Sequence, residues 1–448
     1  MATSLREVGS SGRVLAGMKH DRRFGHDRVR WRVPLGLFLG SFILCASFVL
    51  WARPLPVTDE FLTYFKIAQN ISFGKGFTED GTTPYVYLPP LFSSLLGGWF
   101  FLTGHRTLFS VQLYQSLCIA LSVVLVFFLA REIYPRGKAS LAAAIWLAIH
   151  PSLWTYAVFV RQEPTILLFT TLSAWLTILW FQRPGRGRAA LAGGIWGLTT
   201  LAKVVTIFVP GLLVLFWALR RKRDGKVHPA EVLVAVIAFF LVIAPWTTRN
   251  YMHFQRFIPV NDQAKGMVEW NIQHSDAPVE EGKGNVTLLL SLLRTKEATH
   301  GNLAGEKFLA EINRQGVQGK ERNERLWGYI LMHKRYFLIQ RIRNAIFFAS
   351  PGVDWWIQSG RLKTGGALDS PAFWLFALSY HAPFYGFFAW RVARLIRGDC
   401  SLALSFLVLF FLCYWGEYAI LWGETRFSLP VYPVLAMFAP WEKLGAAT

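Results

Sequence analysis

An acidic pair, Asp59-Glu60, follows the first long apolar stretch of this 448-residue chain. Carboxylates at a membrane boundary cost free energy unless they are solvated, paired or used in chemistry. Tyr64, the turn Gly74-Lys75-Gly76-Phe77 and the segment Tyr87-Leu88-Pro89-Pro90-Leu91 come next. A positioned carboxylate can take the proton of an attacking hydroxyl as a general base. We therefore expect a catalytic carboxylate in this first loop.

Further acids and guanidinium groups occur where other apolar stretches begin or end. A lone charge at such a position usually snorkels to the lipid headgroups. Glu163, which precedes Pro164, also fits a carboxylate that caps a helix start. The convergence of acids and arginines at short turns favours a binding site over these structural roles. The residues concerned are Arg161, Glu163, Arg249, Asn250, His253, Glu424 and Arg426.

The composition defines the elements that must position these side chains. Hydrophobic residues make up 53% of the chain and charged residues 17%, whereas soluble domains carry about a quarter charged residues. The apolar residues occur in runs of roughly 17 to 25, the length needed to cross a bilayer. The sequence thus predicts an all-α integral membrane protein.

The net charge of +20 has a distribution typical of membrane topology. Basic residues cluster in the N-terminal tail and in short connectors, which indicates cytoplasmic segments. This pattern argues against nucleic acid as a partner. The four cysteines show no CxxC spacing and fit small apolar packing residues. The connector clusters are Arg131-Arg136-Lys138, Arg183-Arg186-Arg188, Arg220-Arg221-Lys222-Arg223-Lys226 and Arg391-Arg394-Arg397.

The charge rule predicts four regions along the chain. Both termini are expected in the cytoplasm, in a protein of the cytoplasmic (inner or plasma) membrane. Spans are predicted at 34–51, 108–130, 139–157, 164–182, 231–247, 371–390, 400–421 and 427–441, with a two-span hairpin over 188–219 that turns near Lys203 to Thr206. Segments 88–103 and 336–350 are either spans or surface helices. The regions are a basic tail (1–33), a transmembrane core (34–247) with a catalytic outer loop (54–107), an extracytoplasmic subdomain (248–370) and C-terminal transmembrane helices (371–448).

These motifs together resemble bacterial membrane glycosyltransferases of the GT-C superfamily, related to protein O-mannosyltransferases and aminoarabinose transferases. Relatives that modify lipid A tend to carry a lysine where this chain has Leu88. They often have Arg or Lys with Pro where it has Lys203-Val204. The matching elements are Asp59-Glu60 with Tyr64, Gly74-Lys75-Gly76-Phe77, Pro89-Pro90-Leu91-Phe92, Glu163-Pro164, Ala244-Pro245-Trp246-Thr247-Thr248-Arg249-Asn250 and Glu424-Thr425-Arg426-Phe427 with Pro430 and Pro433.

The resemblance implies a GT-C fold with about 10 to 12 transmembrane helices, extracytoplasmic juxtamembrane helices and a small outer subdomain. It also implies inverting transfer of a sugar from a polyprenyl-phosphate donor to a hydroxyl of a glycan, lipid or protein acceptor, on the extracytoplasmic face. Asp59 would then be the base, with Glu60 and Glu163 as further acids. A guanidinium group suits the leaving phosphate. Arg249 and Arg426 are therefore the expected phosphate-binding residues, and Arg161 and Lys66 are the alternatives. Tyr64, Tyr87, Asn250 and Glu424 are expected to line the substrate.

Two questions stay open at this point. A divalent metal is an alternative with His253 as candidate ligand, although His253, His150 and His381 are scattered and have no ligand spacing. A flippase or transporter for a lipid-linked sugar, or a noncatalytic membrane scaffold, is the alternative to an enzyme. Transporters often have broken helices with charges near the midplane, whereas the charges here lie at span ends.

Overall fold

The structure is a computed structural model that describes residues 31–54, 60–135, 138–220, 227–273, 304–349, 362–363, 371–421 and 425–441. Almost every described element is a helix. The helices are α1 Arg32–Trp51, α2 Glu60–Ser72, α3 Pro90–Thr103, α4 Leu108–Ile133, α5 Lys138–Ala148, α6 Pro151–Tyr156, α7 Glu163–Gln182, α8 Arg186–Ala202, a 3₁₀ helix Val204–Phe208, α9 Val209–Arg220, α10 Pro229–Phe254, α11 Ala264–Gln273, α12 Ala304–Arg314, α13 Gly319–Met332, α14 Lys334–Ala349, α15 Pro371–Ile396, α16 Leu402–Ile420, a second 3₁₀ helix Thr425–Val431 and α17 Tyr432–Ala436.

Five of the described helices are long and apolar enough to cross a membrane: α1, α4, α7, α10 and α16. Shorter apolar helices lie at 90–103, 138–148, 204–220 and 427–436. The long helices agree with the predicted spans because each fills a continuous apolar run of bilayer length. α4 and α7 are the most enclosed of the five, and α1 and α10 present most of their surface outward.

The predicted hairpin over 188–219 is present. α8 ends at Ala202, and a 3₁₀ helix from Val204 to Phe208 turns the chain into α9. α8 packs closely along α10 through two glycines, because a Cβ on Gly193 would overlap the carbonyl of Ala235 and one on Gly197 would lie 2.7 Å from the Phe239 carbonyl oxygen. Small residues let membrane helices approach in this way.

Three spans differ in detail from the sequence prediction. The segment 139–157 is broken between α5 and α6, because Pro151 starts a new helix after the extended residue His150. α10 continues through Pro245 to Phe254, so the predicted exit at 247 and the 247/248 domain boundary fall inside a helix. Segment 427–441 is a 3₁₀ helix followed by the five-residue α17, since Pro430 and Pro433 interrupt regular α-helical bonding.

The last segment nevertheless traverses the bundle. It begins beside α7, and its far end is reached by Tyr134, whose hydroxyl donates to the carbonyl of Met437 at 2.5 Å. Residues 427–439 are all buried. Neighbouring helices therefore enclose this irregular backbone, as hydrocarbon requires.

The basic connectors meet at one end of the bundle. Arg183 pairs with Glu132 at 3.7 Å, and Arg220 donates to the Ser405 hydroxyl. Arg391 is buried, and its Nε donates to the carbonyl of Phe438 at 3.0 Å. The helix ends that flank these connectors, at the C-termini of α4, α7, α9 and α15, thus lie together, as the charge pattern predicted.

Residues beyond α10 form a small separate core. α11, α12, α13 and the start of α14 bury an apolar cluster of their own, and Arg322 pairs with Glu269 at 2.8 Å across it. A two-residue antiparallel pair joins Arg53–Pro54 to Leu362–Lys363. The end of α1 is thereby tied to the segment between α14 and α15.

Candidate active site

The segment before α7 lies against the helix that follows the acidic pair. α2 begins at Glu60, and the ring of Phe61 lies 3.3 Å from Cζ of Arg161. Arg161 is 2% exposed. α2 therefore packs against the segment that carries Arg161. Asp59 lies outside the described residues, and of Glu60 only the backbone is described.

Two buried amides of α4 hold that segment in place. Gln112 donates to the carbonyl of Val158 at 2.7 Å, and Gln115 donates to the carbonyl of Tyr156 at 3.0 Å. The Gln115 side-chain oxygen accepts the backbone N–H of Arg161 at 2.8 Å. Non-helical backbone inside a membrane protein needs such partners, so these glutamines fix the approach to α7.

Glu163 opens α7 and is 1% exposed. It lies close enough to Tyr414 and Tyr418 of α16 to interact with both hydroxyls electrostatically. α7 also packs against the 3₁₀ helix that begins at Thr425. The predicted acid is therefore buried near the end of α16 that carries Tyr418.

Lys203 joins this group from the end of α8. Its Nζ lies 4.1 Å from the ring centroid of Phe427 and 5.8 Å from that of Tyr418. A cation over aromatic faces is stabilised by the ring quadrupole. The sequence places Lys203 at the hairpin turn and does not assign it to the site. Its one sequence signal is that it is a single lysine in the middle of an apolar hairpin.

Arg249 binds the loop between α2 and α3. Its guanidinium donates to the carbonyls of Tyr85 at 2.8 Å and Phe77 at 3.3 Å, and its Cζ lies 4.7 Å from the ring of Trp246. A guanidinium has more N–H donors than these bonds use. The predicted phosphate ligand thus also clamps the loop against α10.

The loop held by Arg249 is closed on itself. Asp80 accepts the backbone N–H groups of Thr82 at 2.8 Å and Thr83 at 2.7 Å. Hydrogen bonds from Thr82, then Thr83 and Thr78, hold the pKa of this carboxyl well below its usual range. The turn is consequently stable at neutral pH and loses this contribution only in strong acid, as the carboxylate is protonated.

The other residues predicted near the first loop differ in burial. Lys66 pairs with Glu79 at 3.5 Å on an exposed surface. Tyr64 is 1% exposed and packs edge-on against Phe92, whereas Tyr87 is half exposed. Leu88 is buried. In this structure Tyr64 contributes to packing beneath the loop, and its substrate contact stays a prediction.

Asn250 and His253 lie at the end of α10. The Asn250 amide donates to the carbonyls of Ile258 at 3.0 Å and Val260 at 3.2 Å, so it fixes the turn after the helix. Within the described part of the chain, no group of three His, Cys, Asp or Glu side chains is placed to hold a metal ion, and His253 joins none. Glu424 lies outside the described residues, and of Arg426 only the backbone is described, in the second 3₁₀ helix.

Two histidines treated as scattered are in contact. His150 Nε2 lies 2.9 Å from His381 Nδ1, and the Ser152 backbone N–H donates to His150 Nδ1 at 3.3 Å. His150 must therefore carry its proton on Nε2 and donate it to His381. The ring of Tyr432 lies 4.5 Å from that of His150. This pair ties the α5–α6 break to α15.

The family model described as "Dolichyl-phosphate-mannose-protein mannosyltransferase" matches residues 88–247. An undecaprenyl phosphate-alpha-4-amino-4-deoxy-L-arabinose arabinosyl transferase of Pseudomonas fluorescens (strain Pf0-1) is 25% identical over 232 residues, which are 48% of this chain and 40% of that protein. A transferase of the same description from Pseudomonas aeruginosa (strain UCBPP-PA14) is 27% identical over 255 residues, which are 52% of this chain and 45% of that protein.

Two solved structures share the fold. ArnT from Cupriavidus metallidurans, bound to undecaprenyl phosphate, has a TM-score of 0.54 at 12% identity and covers 91% of this chain and 59% of its own. The Archaeoglobus fulgidus oligosaccharyltransferase tethered to an acceptor peptide has a TM-score of 0.52 at 14% identity. The match covers 94% of this chain and 50% of the oligosaccharyltransferase chain.

The chain is thus an integral membrane protein with the GT-C fold. Its resemblance to GT-C superfamily glycosyltransferases, expected from the sequence, is confirmed. The chain spans less than half the length of the curated relatives described above.

Proposed function

We propose that this chain is an inverting glycosyltransferase that moves a sugar from a polyprenyl-phosphate donor to an acceptor hydroxyl on the extracytoplasmic face of the membrane. The main support is the meeting of Arg161, Glu163 and Lys203 with α2 and α16, at the end of the bundle away from the basic connectors. Buried acids and cations in membrane segments mark substrate paths. The relatives named for undecaprenyl phosphate-linked arabinose add support for the donor class.

The proposed reaction is a direct displacement. The acceptor oxygen forms a bond to the anomeric carbon as the bond from that carbon to the phosphate oxygen breaks. Asp59 takes the hydroxyl proton, and the electron pair leaves with the polyprenyl phosphate. Arg249 and Arg426 stabilise the growing phosphate charge, with Arg161 and Lys66 in reserve and Lys203 added by its position.

The other predicted residues have supporting roles in this proposal. Glu163 binds the acceptor or orients the groups around Asp59, and Glu60 contacts a metal, the acceptor or a structural partner. Tyr64, Tyr87, Asn250 and Glu424 stay predictions for the substrate lining. A divalent ion is the open alternative for Glu60, because one oligosaccharyltransferase structure with this fold is a complex with Zn and sulfate.

A flippase for a lipid-linked sugar is the second candidate. The helix breaks at His150-Pro151 and at Lys203 favour it, because transporters place substrate sites at discontinuous helices. A flippase would leave the donor bond intact, whereas a transferase releases the free lipid phosphate. The two functions therefore differ in product.

The test is Asp59→Asn in membranes supplied with a radiolabelled polyprenyl-phosphate sugar and acceptor-containing envelope. Loss of the general base should lower the transfer rate by about 10²-fold or more, with normal insertion. Asp399→Asn is the matched control, since Asp399 is exposed in the connector between α15 and α16. Wild-type transfer by Asp59→Asn would refute the assignment of Asp59, and movement of intact donor without transfer by the unsubstituted protein would establish the flippase.

A further inference from the structure

α14 has an inside-out distribution of polar and apolar side chains. Gln340, Arg343 and Asn344 are at most 1% exposed. Leu338, Ile342 and Ile346, spaced four residues apart, are 62%, 43% and 47% exposed. In water the polar stripe of a helix faces solvent. The reversed pattern indicates that α14 faces lipid on one side and a polar interior on the other.

The buried stripe of α14 lies at the level of the candidate site. The Asn344 amide donates to the carbonyl of Ala419 at 3.4 Å, and α14 packs against α16 and the 3₁₀ helix that carries Arg426. Phe348, one turn further along α14, stacks with Tyr418 at a centroid distance of 5.7 Å. Tyr418 is the ring that neighbours Lys203. Arg343, next to Asn344 on the buried side of α14, therefore lies on a helix that packs beside Tyr418.

An unpaired acceptor accompanies Arg343. Asn344 Oδ1 is fully buried and has no hydrogen-bond partner among the residues that the structure describes. A buried polar atom without a partner costs free energy. An acceptor oxygen suits a hydroxyl or N–H of a ligand, and the adjacent guanidinium suits a phosphate. The two side chains together fit a phosphorylated molecule that also carries hydrogen-bond donors.

We propose that Arg343 is a further phosphate-binding residue for a lipid-linked sugar phosphate, with Asn344 beside it for the sugar. Leu338, Ile342 and Ile346 lie on the opposite, outward face of α14, so a ligand bound by Arg343 and Asn344 would lie inside the bundle. The proposed donor supplies both groups that these side chains suit, a phosphate for the guanidinium and sugar hydroxyls for the Asn344 oxygen. This assignment rests on the proposed function and names a residue that neither the motifs nor the comparisons identify.

Arg341 provides a matched control on the same helix. Its guanidinium donates to the carbonyls of Ile420 and Leu421 at the end of α16 and to Asn271 Oδ1 at 3.1 Å. These contacts are structural, and Arg341→Gln removes the same charge as Arg343→Gln. A general electrostatic effect would weaken phosphate binding in both variants. A site at Arg343 would weaken it in only one.

The experiment titrates the purified full-length protein in detergent with undecaprenyl phosphate and, separately, with inorganic phosphate. Loss of one charge-assisted contact should weaken undecaprenyl phosphate binding by about ten- to a hundredfold in Arg343→Gln. Arg343→Lys should give an intermediate loss, and Arg341→Gln should bind as the unsubstituted protein does. Inorganic phosphate should bind far more weakly throughout, because it lacks the apolar chain.

Thermal unfolding of each variant separates binding from folding. Arg343→Lys keeps the charge and preserves the test if Arg343→Gln does not fold. Unchanged binding in folded Arg343 variants, or an equal loss in Arg341→Gln, would overturn the assignment of Arg343 alone. Failure of the unsubstituted protein to bind undecaprenyl phosphate would overturn the proposed function and this assignment with it.

Discussion

At the scale of single residues, the sequence identified the acids and arginines at span ends but not how they group. Arg161 and Glu163 are buried as expected of functional charges, whereas Lys66 is paired on the surface. Arg249 holds a loop in addition to its proposed role. Lys203 was missed because it contacts Tyr418, far along the chain, and Arg343 because it is buried in a helix that packs against α16. No local pattern around either residue reports such a distant neighbour.

Glu163 carries the clearest prediction at this scale. Glu163→Gln should lower the rate of sugar transfer by about 10²-fold, because a buried carboxylate near the reacting groups loses its charge while its shape is kept. The measurement is the initial rate with a labelled donor at saturating concentration.

Glu132→Gln is the control for Glu163→Gln. Glu132 pairs with Arg183 at the opposite end of the bundle, and a surface ion pair contributes little. A wild-type rate in Glu163→Gln would show that Glu163 only caps α7.

At the scale of elements, most spans were predictable and their irregularities were not. α1, α4, α7 and α16 fill long apolar runs, and the hairpin turn falls at Lys203 to Thr206 as predicted. The continuation of α10 past Pro245 was not predictable from composition, since Asn250 is anchored to carbonyls that the turn at 258–260 brings back. Prolines alone did not reveal which breaks end a helix and which only bend it.

The contact between α8 and α10 gives a prediction for helix packing. Gly193→Ala should destabilise the protein by about 1–3 kcal/mol, because the added methyl overlaps the Ala235 carbonyl in a close helix pair. The measurement is the apparent unfolding temperature in detergent.

The adjacent glycine is a matched control for this substitution. A Cβ on Gly194 would meet only the Val242 side chain, at 3.7 Å, so Gly194→Ala should leave the unfolding temperature nearly unchanged. Equal shifts in the two variants would contradict the close α8–α10 approach.

At the scale of the whole molecule, the basic connectors gather at one end and the Glu163 group at the other. The clustering of basic connectors and the GT-C fold were predictable from charge and motif order. The enclosed final crossing was not, since a segment of prolines and 3₁₀ turns has no helical signature. The division into four domains stays a prediction.

Orientation in the membrane can be tested by cysteine labelling. His105→Cys, in the exposed turn between α3 and α4, should react with a membrane-impermeant maleimide in intact cells. Arg186→Cys, at the basic end, should react only after permeabilisation, because basic connectors stay in the cytoplasm. The unsubstituted protein measures the background from Cys413, the one exposed native cysteine among the described residues. The reverse labelling pattern would place the Glu163 group on the cytoplasmic face.

The contact between His150 and His381 has a consequence for biogenesis. The two rings are separated by 231 residues of sequence, which a ribosome needs roughly 10 to 50 s to synthesise at about 5–20 residues per second. During that interval the imidazole N–H of the earlier span has no native acceptor. The first half of the protein is therefore incompletely packed at His150 until α15 has been synthesised and inserted.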